Sequence, residues 1–360
     1  LGPMFIGLIA VIVVGSLGLI WYRLPQLKSE NQLDSLLSRE SSFLFNNVLL
    51  VGVAFAIFLG TVFPLISEAV RGVKVTVGPP FFNTVTAPIF LALIALMGIC
   101  PLIGWRRASR DNLVRNFLYP LAIAAISVVV LLIFAVREPY VLLALALTVF
   151  VTFTILLEIY RGARARHRTS GQNYLASVGG MVWGNKPRYG GYIVHLGIIM
   201  MAIGIIASQA YSVEKEVTLD PGQSAQIKGY TLVYRGLDDF PTVDREVVTA
   251  TLDVYDGANT RLAVLTPAKT FHKNYENPVT EVSVRTTLSE DLYIILEGWE
   301  NQRAAFKFII NPMVVWIWLG GIVLILGTIV AFWPDAREGK RDATRLAQAT
   351  VAVKETEDEV

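Results

Sequence analysis

The sequence predicts an α-helical polytopic membrane protein with about seven transmembrane helices and a small extracytoplasmic β domain inserted before the last helix. Hydrophobic residues make up 54% of the 360 residues and charged residues 17%, and the mean hydropathy is +0.53. A soluble globular domain does not reach these values. Seven stretches are free of charged residues and long enough for a hydrocarbon core, which requires roughly 20 apolar residues.

These stretches give the predicted order of helices and the place of the insert. The predicted domains are the first six spans with their connectors at 1–211, the β domain at 212–307, the last span at 308–334 and a disordered cytoplasmic tail at 335–360. The seven predicted spans are residues 4–21, 43–66, 88–105, 117–136, 140–157, 189–211 and 308–333.

The distribution of basic residues predicts the orientation. The segments 22–42, 106–116, 158–188 and the tail after Pro334 carry 3, 4, 6 and 5 Lys or Arg, whereas the short loops on the other side carry only Arg71, Lys74 and Arg137. By the positive-inside rule the first group is cytoplasmic. The amino terminus and the 212–307 insert are then expected outside. Because an outside Leu1 without initiator methionine or signal peptide is unusual, we interpret the chain as the carboxyl-terminal part of a longer protein, or as a split subunit that begins near Met4.

The insert alternates like β structure. Strands are predicted at 217–219, 230–234, 247–255, 261–265, 280–285 and 292–296, separated by turn residues such as those at 220–222 and 256–259. The insert has 10 Lys or Arg against 15 Asp or Glu. A small sandwich or open barrel is expected.

Two cytoplasmic segments, 24–39 and 173–183, are predicted as helices at the membrane interface, and connector helices explain them as well as a partner site does. Cys100 is the only cysteine, which excludes an intrachain disulfide and a thiolate metal cluster. Walker, HExxH and GxSxG motifs are absent from the sequence. No catalytic residue is assigned.

His195 is the only histidine inside a predicted span. An ionisable residue at membrane depth indicates a functional site. Gly191 lies one turn earlier on the same face, and Gly190 and Gly197 flank the site, so a flat macrocycle could approach with its iron on the imidazole. The alternative is a histidine hydrogen-bonded to a neighbouring helix, with glycines that permit close packing. His167, in a basic run, and His272, in the insert, are interpreted as surface histidines.

Several sequence motifs of this chain, taken in their order, resemble the carboxyl-terminal half of the CcmF/NrfE family of bacterial cytochrome c haem lyases. The insert adds PG at 221–222, GYT at 229–231 and PVTE at 278–281, which look like the periplasmic domain of that family. The other motifs are SRES at 38–41, NN at 46–47, GTVFPL at 60–65, VGPPFFN at 77–83, the His195 window and NPMVVWIWLGG at 311–321.

The resemblance implies a transmembrane b-type haem held by two histidines on different helices. His195 is then one axial ligand of the haem iron, Gly191 permits the close approach of the haem, and the second ligand lies upstream of this chain. Such a haem would reduce the incoming haem for covalent attachment to the CxxCH sequence of apocytochrome c. The implied location is the bacterial inner membrane, with 212–307 in the periplasm.

One family feature is missing from this chain. The tryptophan-rich motif of WGGxWxWDP type and its flanking histidines do not occur, and Trp316 and Trp318, at the start of the last span, do not replace them. The chain alone is therefore not expected to ligate haem to a cytochrome. Expected partners are a haem chaperone, haem-delivery membrane proteins, apocytochrome c and its thiol-reducing chaperone, but no nucleic acid. The alternatives are a transporter or channel subunit, and a membrane scaffold that docks apocytochrome c or a haem chaperone.

Overall fold

The computed structural model describes residues 2–27, 38–103, 110–241, 244–273 and 277–334. In these ranges, seven helices are long and apolar enough to cross a membrane, which confirms the predicted fold class. The short helix α6 lies between the fifth and sixth of them. The helices are α1 Gly2–Leu27, α2 Arg39–Arg71, α3 Pro79–Ile99, α4 Arg110–Ile133, α5 Pro139–Ser170, α6 Tyr174–Gly184, α7 Lys186–Ala210 and α8 Val315–Phe332, with a 3₁₀ turn at Cys100–Leu102.

Capping residues and prolines, which hydropathy does not detect, determine where several helices begin. Ser38 caps α2, its hydroxyl accepting a hydrogen bond from the Ser41 backbone at 3.1 Å. Helix α3 begins nine residues before the predicted span, because prolines at its first two positions fit the start of a helix. Asn173 caps α6, so the predicted 173–183 helix forms. Of the other predicted interface helix, residues 28–37 lie outside the described residues, as does the 335–360 tail.

The last span begins later than predicted. The sequence placed its start at 308 and the end of the β domain at 307, whereas residues 303–312 form strand β10 (Arg303–Pro312) and α8 begins at Val315. Strand β10 is bonded to neighbours along its whole length. The apolar residues at 308–312 therefore belong to the sheet, and the membrane helix begins only at Val315.

The insert folds into two antiparallel sheets that pack face to face. One sheet has the order β1-β10-β9-β8 and the other β2-β3-β4-β6-β7, with β5 also paired to β4. Side chains from both sheets meet in one core, in which Tyr234, Phe306 and Phe308 are fully buried. The strands are β1 Val213–Leu219, β2 Ser224–Ile227, β3 Tyr230–Pro241, β4 Arg245–Tyr255, β5 Arg261–Leu265, β6 Ala268–His272, β7 Val279–Glu281, β8 Ser283–Thr286, β9 Glu290–Glu300 and β10.

Two aspartates of the sandwich are buried in contrasting surroundings. Burial by itself would raise the pKa of Asp253, but hydrogen bonds and ion pairs from Arg235 and Arg261 outweigh it and hold that pKa below its usual range. Among the described residues Asp291 has no such cation, and its Oδ1 atom has no hydrogen-bond partner, so burial raises its pKa. Ionised Asp253 therefore stabilises the folded state, whereas ionised Asp291 destabilises it.

The sandwich is joined to the membrane by a continuous antiparallel pair. Strand β1 follows α7 after two residues, and β10 precedes α8 by two residues. The two strands are paired from Val213 opposite Ile310 onward. Where strands give way to helices, the Ser212 hydroxyl donates to Asn311 Oδ1 at 2.7 Å. The β domain is thus an extension of the α7 and α8 pair.

Candidate haem-iron ligand on α7

His195 lies in the middle of α7, among described residues that give it no hydrogen-bond partner. Its side chain is partly buried, and its Nδ1 atom is buried without a partner. A buried polar nitrogen normally has a partner, because leaving it unpaired costs roughly 1–3 kcal/mol. The alternative that His195 bonds to a neighbouring helix therefore has no support within the described residues. Because Nδ1 is enclosed, the ring would offer its other nitrogen, Nε2, to a haem iron, and imidazole nitrogen is a donor that suits iron.

One face of α7 is occupied by α8. A Cβ placed on Gly190 would stand 2.5 Å from the backbone nitrogen of Ala331, and one on Gly197 would stand 2.6 Å from the carbonyl oxygen of Gly320. A Cβ on Gly204 would stand 2.9 Å from the carbonyl oxygen of Met313, just before α8. These three glycines recur every seven residues, so they lie along one side of the helix. Gly190 and Gly197 therefore serve helix packing, which corrects the expectation that both leave room for a macrocycle.

Gly191 stands apart from that face. A Cβ on Gly191 would meet no atom within 4 Å. Because Gly191 and His195 are four residues apart, they lie on the same side of α7. The side of α7 towards α5 carries Tyr189, Tyr192 and Ile199, all buried in a common cluster with α5 residues. The Gly191 and His195 side is the one that neither α5 nor the glycine contact with α8 occupies, so a flat ligand can approach the backbone there.

The other two histidines lie elsewhere. The Nδ1 atom of His167 is hydrogen-bonded to the carbonyl oxygen of Gln172, and its ring stacks on Tyr174 at 4.4 Å. His272 ends strand β6, opposite Arg245. In the described ranges, no group of three or more His, Cys, Asp or Glu could hold a metal ion. Neither histidine shares an element with His195.

An ionic cluster fixes the first turn of α7 against α4 and α5. The Arg188 guanidinium contacts Glu158 Oε2 at 2.8 Å and Tyr192 Oη at 3.2 Å. Glu158 also pairs with Arg161 at 3.2 Å, and Arg161 donates to Asn116 Oδ1. Glu158 and Arg161 are three residues apart on α5, a spacing that the sequence makes visible. The pair of Glu158 with Arg188 joins residues 30 positions apart, so only the structure shows it.

Lys186 connects the same end of α7 to α8. Its side chain is buried, and its Nζ atom donates to the carbonyl oxygen of Pro334 at 2.8 Å. The same Nζ lies 5.1 Å from the ring centre of Trp183, whose ring is 6.3 Å from that of Trp333. A cation at a helix carboxyl end interacts favourably with the helix dipole. Together with the ionic cluster, this contact sets the position of α7, and hence of His195, relative to α5 and α8.

Comparisons with known proteins agree with this architecture. Residues 210–312 match the family described as the CcmF C-terminal β-sandwich. The cytochrome c-type biogenesis protein CcmF of Haemophilus influenzae is 30% identical over 342 residues, which is 92% of this chain and 50% of that protein. CcmF of Escherichia coli K12 is 29% identical over 341 residues, covering 94% of this chain and 50% of that protein.

A solved structure and a second branch of relatives extend the likeness. The structure described as cytochrome c haem lyase CcmF superposes with a TM-score of 0.66 at 26% identity, covering 83% of this chain and 46% of that one. The cytochrome c-type biogenesis protein NrfE of Haemophilus influenzae is 22% identical over 314 residues, 85% of this chain and 46% of that protein. The chain spans about half the length of the curated relatives it matches. The resemblance drawn from the sequence is thereby confirmed: this multi-pass membrane chain is related to the CcmF-type cytochrome c haem lyases and includes their carboxyl-terminal β-sandwich.

Proposed function

We propose that this chain is part of the cytochrome c maturation haem lyase and holds a transmembrane b-type haem with His195 as one axial ligand of the iron. The observation that carries the proposal is an imidazole, that of His195, which has no hydrogen-bond partner among the described residues and lies on the side of α7 that Gly191 leaves open. When bound, such a haem supplies an electron that reduces the incoming haem for attachment to the CxxCH thiols of apocytochrome c. The second axial ligand is assigned to polypeptide outside this chain.

His195 and Gly191 would bind the haem, and the residues around them hold α7 in position. His195 supplies the imidazole, which suits iron, and Gly191 lets a flat ring approach the helix. The contacts of Gly190 and Gly197 with α8 hold the helix from the opposite side. Glu158 and Arg188 hold its first turn. An iron ligand must be placed within a fraction of an ångström, and these supports around α7 serve that requirement.

The proposed orientation places the β domain in the periplasm and the ionic cluster at Glu158 on the cytoplasmic side of the bacterial inner membrane. The asymmetry of Lys and Arg between the two groups of loops supports it. The proposed partners are apocytochrome c with its thiol-reducing chaperone, and a haem chaperone with its membrane delivery proteins. In a Cys100→Ser background, a cysteine replacing exposed Ala258 should react with an impermeant maleimide in intact cells, whereas one replacing exposed Ser170 should not. The reverse pattern overturns the orientation.

Replacement of His195 tests the haem assignment. The chain is produced together with the polypeptide that supplies the remaining length of its relatives, and the purified membrane protein is examined by absorption spectroscopy. His195→Ala should remove or greatly reduce the Soret band and the maturation of cytochrome c, while leaving membrane insertion intact. Added imidazole should restore part of the band. His167→Ala and His272→Ala are the matched controls and should keep it. A full-strength six-coordinate spectrum in His195→Ala overturns the assignment.

A further inference from the structure

The turn between β8 and β9 presents an apolar side chain at its tip. The Thr287 backbone nitrogen donates to the Glu290 carbonyl oxygen at 3.1 Å, and the Glu290 nitrogen donates to Thr287 Oγ1 at 3.0 Å. These bonds close the turn and fix its shape. Leu288, at its tip, is 70% exposed. An exposed leucine on a rigid turn has no packing role within the described part of the domain.

The same turn is bonded to the start of a transmembrane helix. Trp316 Nε1 donates to the Leu288 carbonyl oxygen at 3.0 Å, and the Met313 nitrogen donates to the Ser289 carbonyl oxygen at 2.9 Å. Trp316 lies in the first turn of α8. Two bonds from consecutive residues of the turn leave little freedom for it to lift away. Leu288 therefore stays beside the first turn of α8.

The length of α8 determines where that first turn lies in the bilayer. The helix has 18 residues, which at roughly 1.5 Å per residue measure about 27 Å. A hydrocarbon core is about 30 Å thick, so the helix has no surplus length. Its first turn must lie at the hydrocarbon boundary, where tryptophan side chains are enriched. Trp318, two residues further along, is 73% exposed, as expected of a residue facing lipid.

Of the charged residues close to Leu288 in the sequence, Glu290 is ion-paired and Asp291 is buried. Glu290 is paired with Lys228 Nζ at 3.0 Å. Asp291 is buried, and burial raises its pKa, so its carboxyl group is more readily neutral than an exposed one. An uncompensated charge beside Leu288 would oppose entry of the turn into an apolar phase. Glu290 is compensated by its ion pair, and Asp291 is withdrawn into the domain. The Arg285 guanidinium lies over the Tyr230 ring, 5.8 Å from its centre.

We propose that the β8–β9 turn is a membrane-inserted anchor, in which Leu288 enters the bilayer surface beside α8 and contacts lipid acyl chains. The β domain then touches the membrane at a third point, in addition to the α7–β1 and β10–α8 connections. The occupant of this surface is the lipid bilayer itself, because the turn is bonded to the first turn of α8, which lies at the hydrocarbon boundary. The anchor is independent of haem binding and of the identity of any partner.

Site-directed fluorescence in vesicles tests the proposal. In a Cys100→Ser background, Leu288→Cys is labelled with an environment-sensitive nitrobenzoxadiazole probe. The protein is reconstituted in phosphatidylcholine and phosphatidylglycerol vesicles, with or without lipids that carry a quenching nitroxide near the top of the acyl chain. The emission should shift to shorter wavelength and be quenched about as strongly as a label on Trp318→Cys. The matched control, Glu300→Cys, lies at the opposite end of β9, roughly 33 Å away at about 3.3 Å per residue, and should give water-like, unquenched emission.

Two results would overturn the anchor. A water-like spectrum at position 288 would mean that the turn stands clear of the membrane. A blue-shifted spectrum that lipid nitroxides do not quench would mean that protein, rather than lipid, covers Leu288. Both readings are made on the complete membrane protein, and the Trp318 label shows in the same preparation that the quencher reaches lipid-facing positions.

Discussion

Gly197 of α7 and Gly320 of α8 are in direct backbone contact. A Cβ on Gly197 would stand 2.6 Å from the Gly320 carbonyl oxygen, and a Cβ on Gly320 would stand 2.5 Å from the Gly197 carbonyl oxygen. Both obstacles are backbone atoms, which cannot turn aside as the end of a side chain can. The separation of the two helices is therefore set by the absence of side chains at this point.

Gly197→Ala should separate α7 from α8 and destabilise the protein by roughly 1–3 kcal/mol, as overpacking of a close contact does. Thermal unfolding in detergent measures the effect. Gly191→Ala is the matched control, since a Cβ there meets no atom within 4 Å, and its midpoint should stay close to that of the unmodified protein. Equal losses from the two substitutions would contradict the close contact.

Gly191→Leu should leave the helices assembled and lower haem content, because a long side chain fills the space beside His195 that the proposed ring requires. The ratio of Soret to protein absorbance in the purified complex measures it. Gly179→Leu, on α6, is a control, because a Cβ on Gly179 also meets no atom within 4 Å and α6 carries no proposed ligand. If Gly191→Leu kept its full haem content, the proposed approach beside Gly191 would be wrong.

A segment of residues 212–312 should fold by itself into a soluble domain, whereas 212–307 should not. The shorter segment lacks Phe308 and Ile310, both fully buried in the core. Loss of a buried phenylalanine costs roughly 3–5 kcal/mol and of an isoleucine about 2–5 kcal/mol, comparable with the total stability of a domain, about 5–15 kcal/mol. Circular dichroism and urea unfolding distinguish the two segments. The longer segment should bind no haem, and a stoichiometric Soret band in it would contradict the assignment to α7.

The two buried aspartates should give the 212–312 domain opposite pH responses. The pKa of Asp253 is lowered in the folded state, so its stabilisation is present above the unfolded pKa of about 4 and is lost as the pH falls through the folded value. The pKa of Asp291 is raised, so stability is lost as the pH rises from the unfolded to the folded value.

Urea unfolding at pH 7 should therefore show Asp253→Asn to be less stable, on the order of 1 kcal/mol after allowance for the half-exposed arginines. Asp291→Asn should be more stable than the unmodified domain at the same pH. The difference in stability between Asp291→Asn and the unmodified domain should be smallest in acid. A stabilising effect of Asp253→Asn at pH 7 would mean that its ion pairs do not outweigh its burial.

The sequence predicted the class of fold because hydropathy and alternation are strong signals over long segments. Strand β10 was missed in part because Phe308 and Ile310, which face the sandwich core, run without a charged residue into α8. Hydropathy does not distinguish apolar residues buried in a sheet from apolar residues in a bilayer. Strands β2 and β6, of four and five residues, are too short to show a clear alternation.

The candidate site was predicted in part for a similar reason. The depth of His195 in an apolar run was visible, and its placement on α7 agrees with the expectation. The seven-residue recurrence of Gly190, Gly197 and Gly204 was also visible, but its meaning depends on which helix approaches. Only the contacts with Ala331 and Gly320 show that these glycines face α8, while Gly191 does not.

The two-residue connections at Tyr211–Ser212 and Met313–Val314 leave the junction without a hinge. A hinge needs residues that can absorb a change of backbone angles, and here the strands pair at once while the β8–β9 turn is bonded to α8. A partner that tilts the sandwich must consequently tilt or slide α7 as well. Events at the soluble domain would then reach the imidazole of His195 as a displacement of the helix that carries it, without any ligand passing between them.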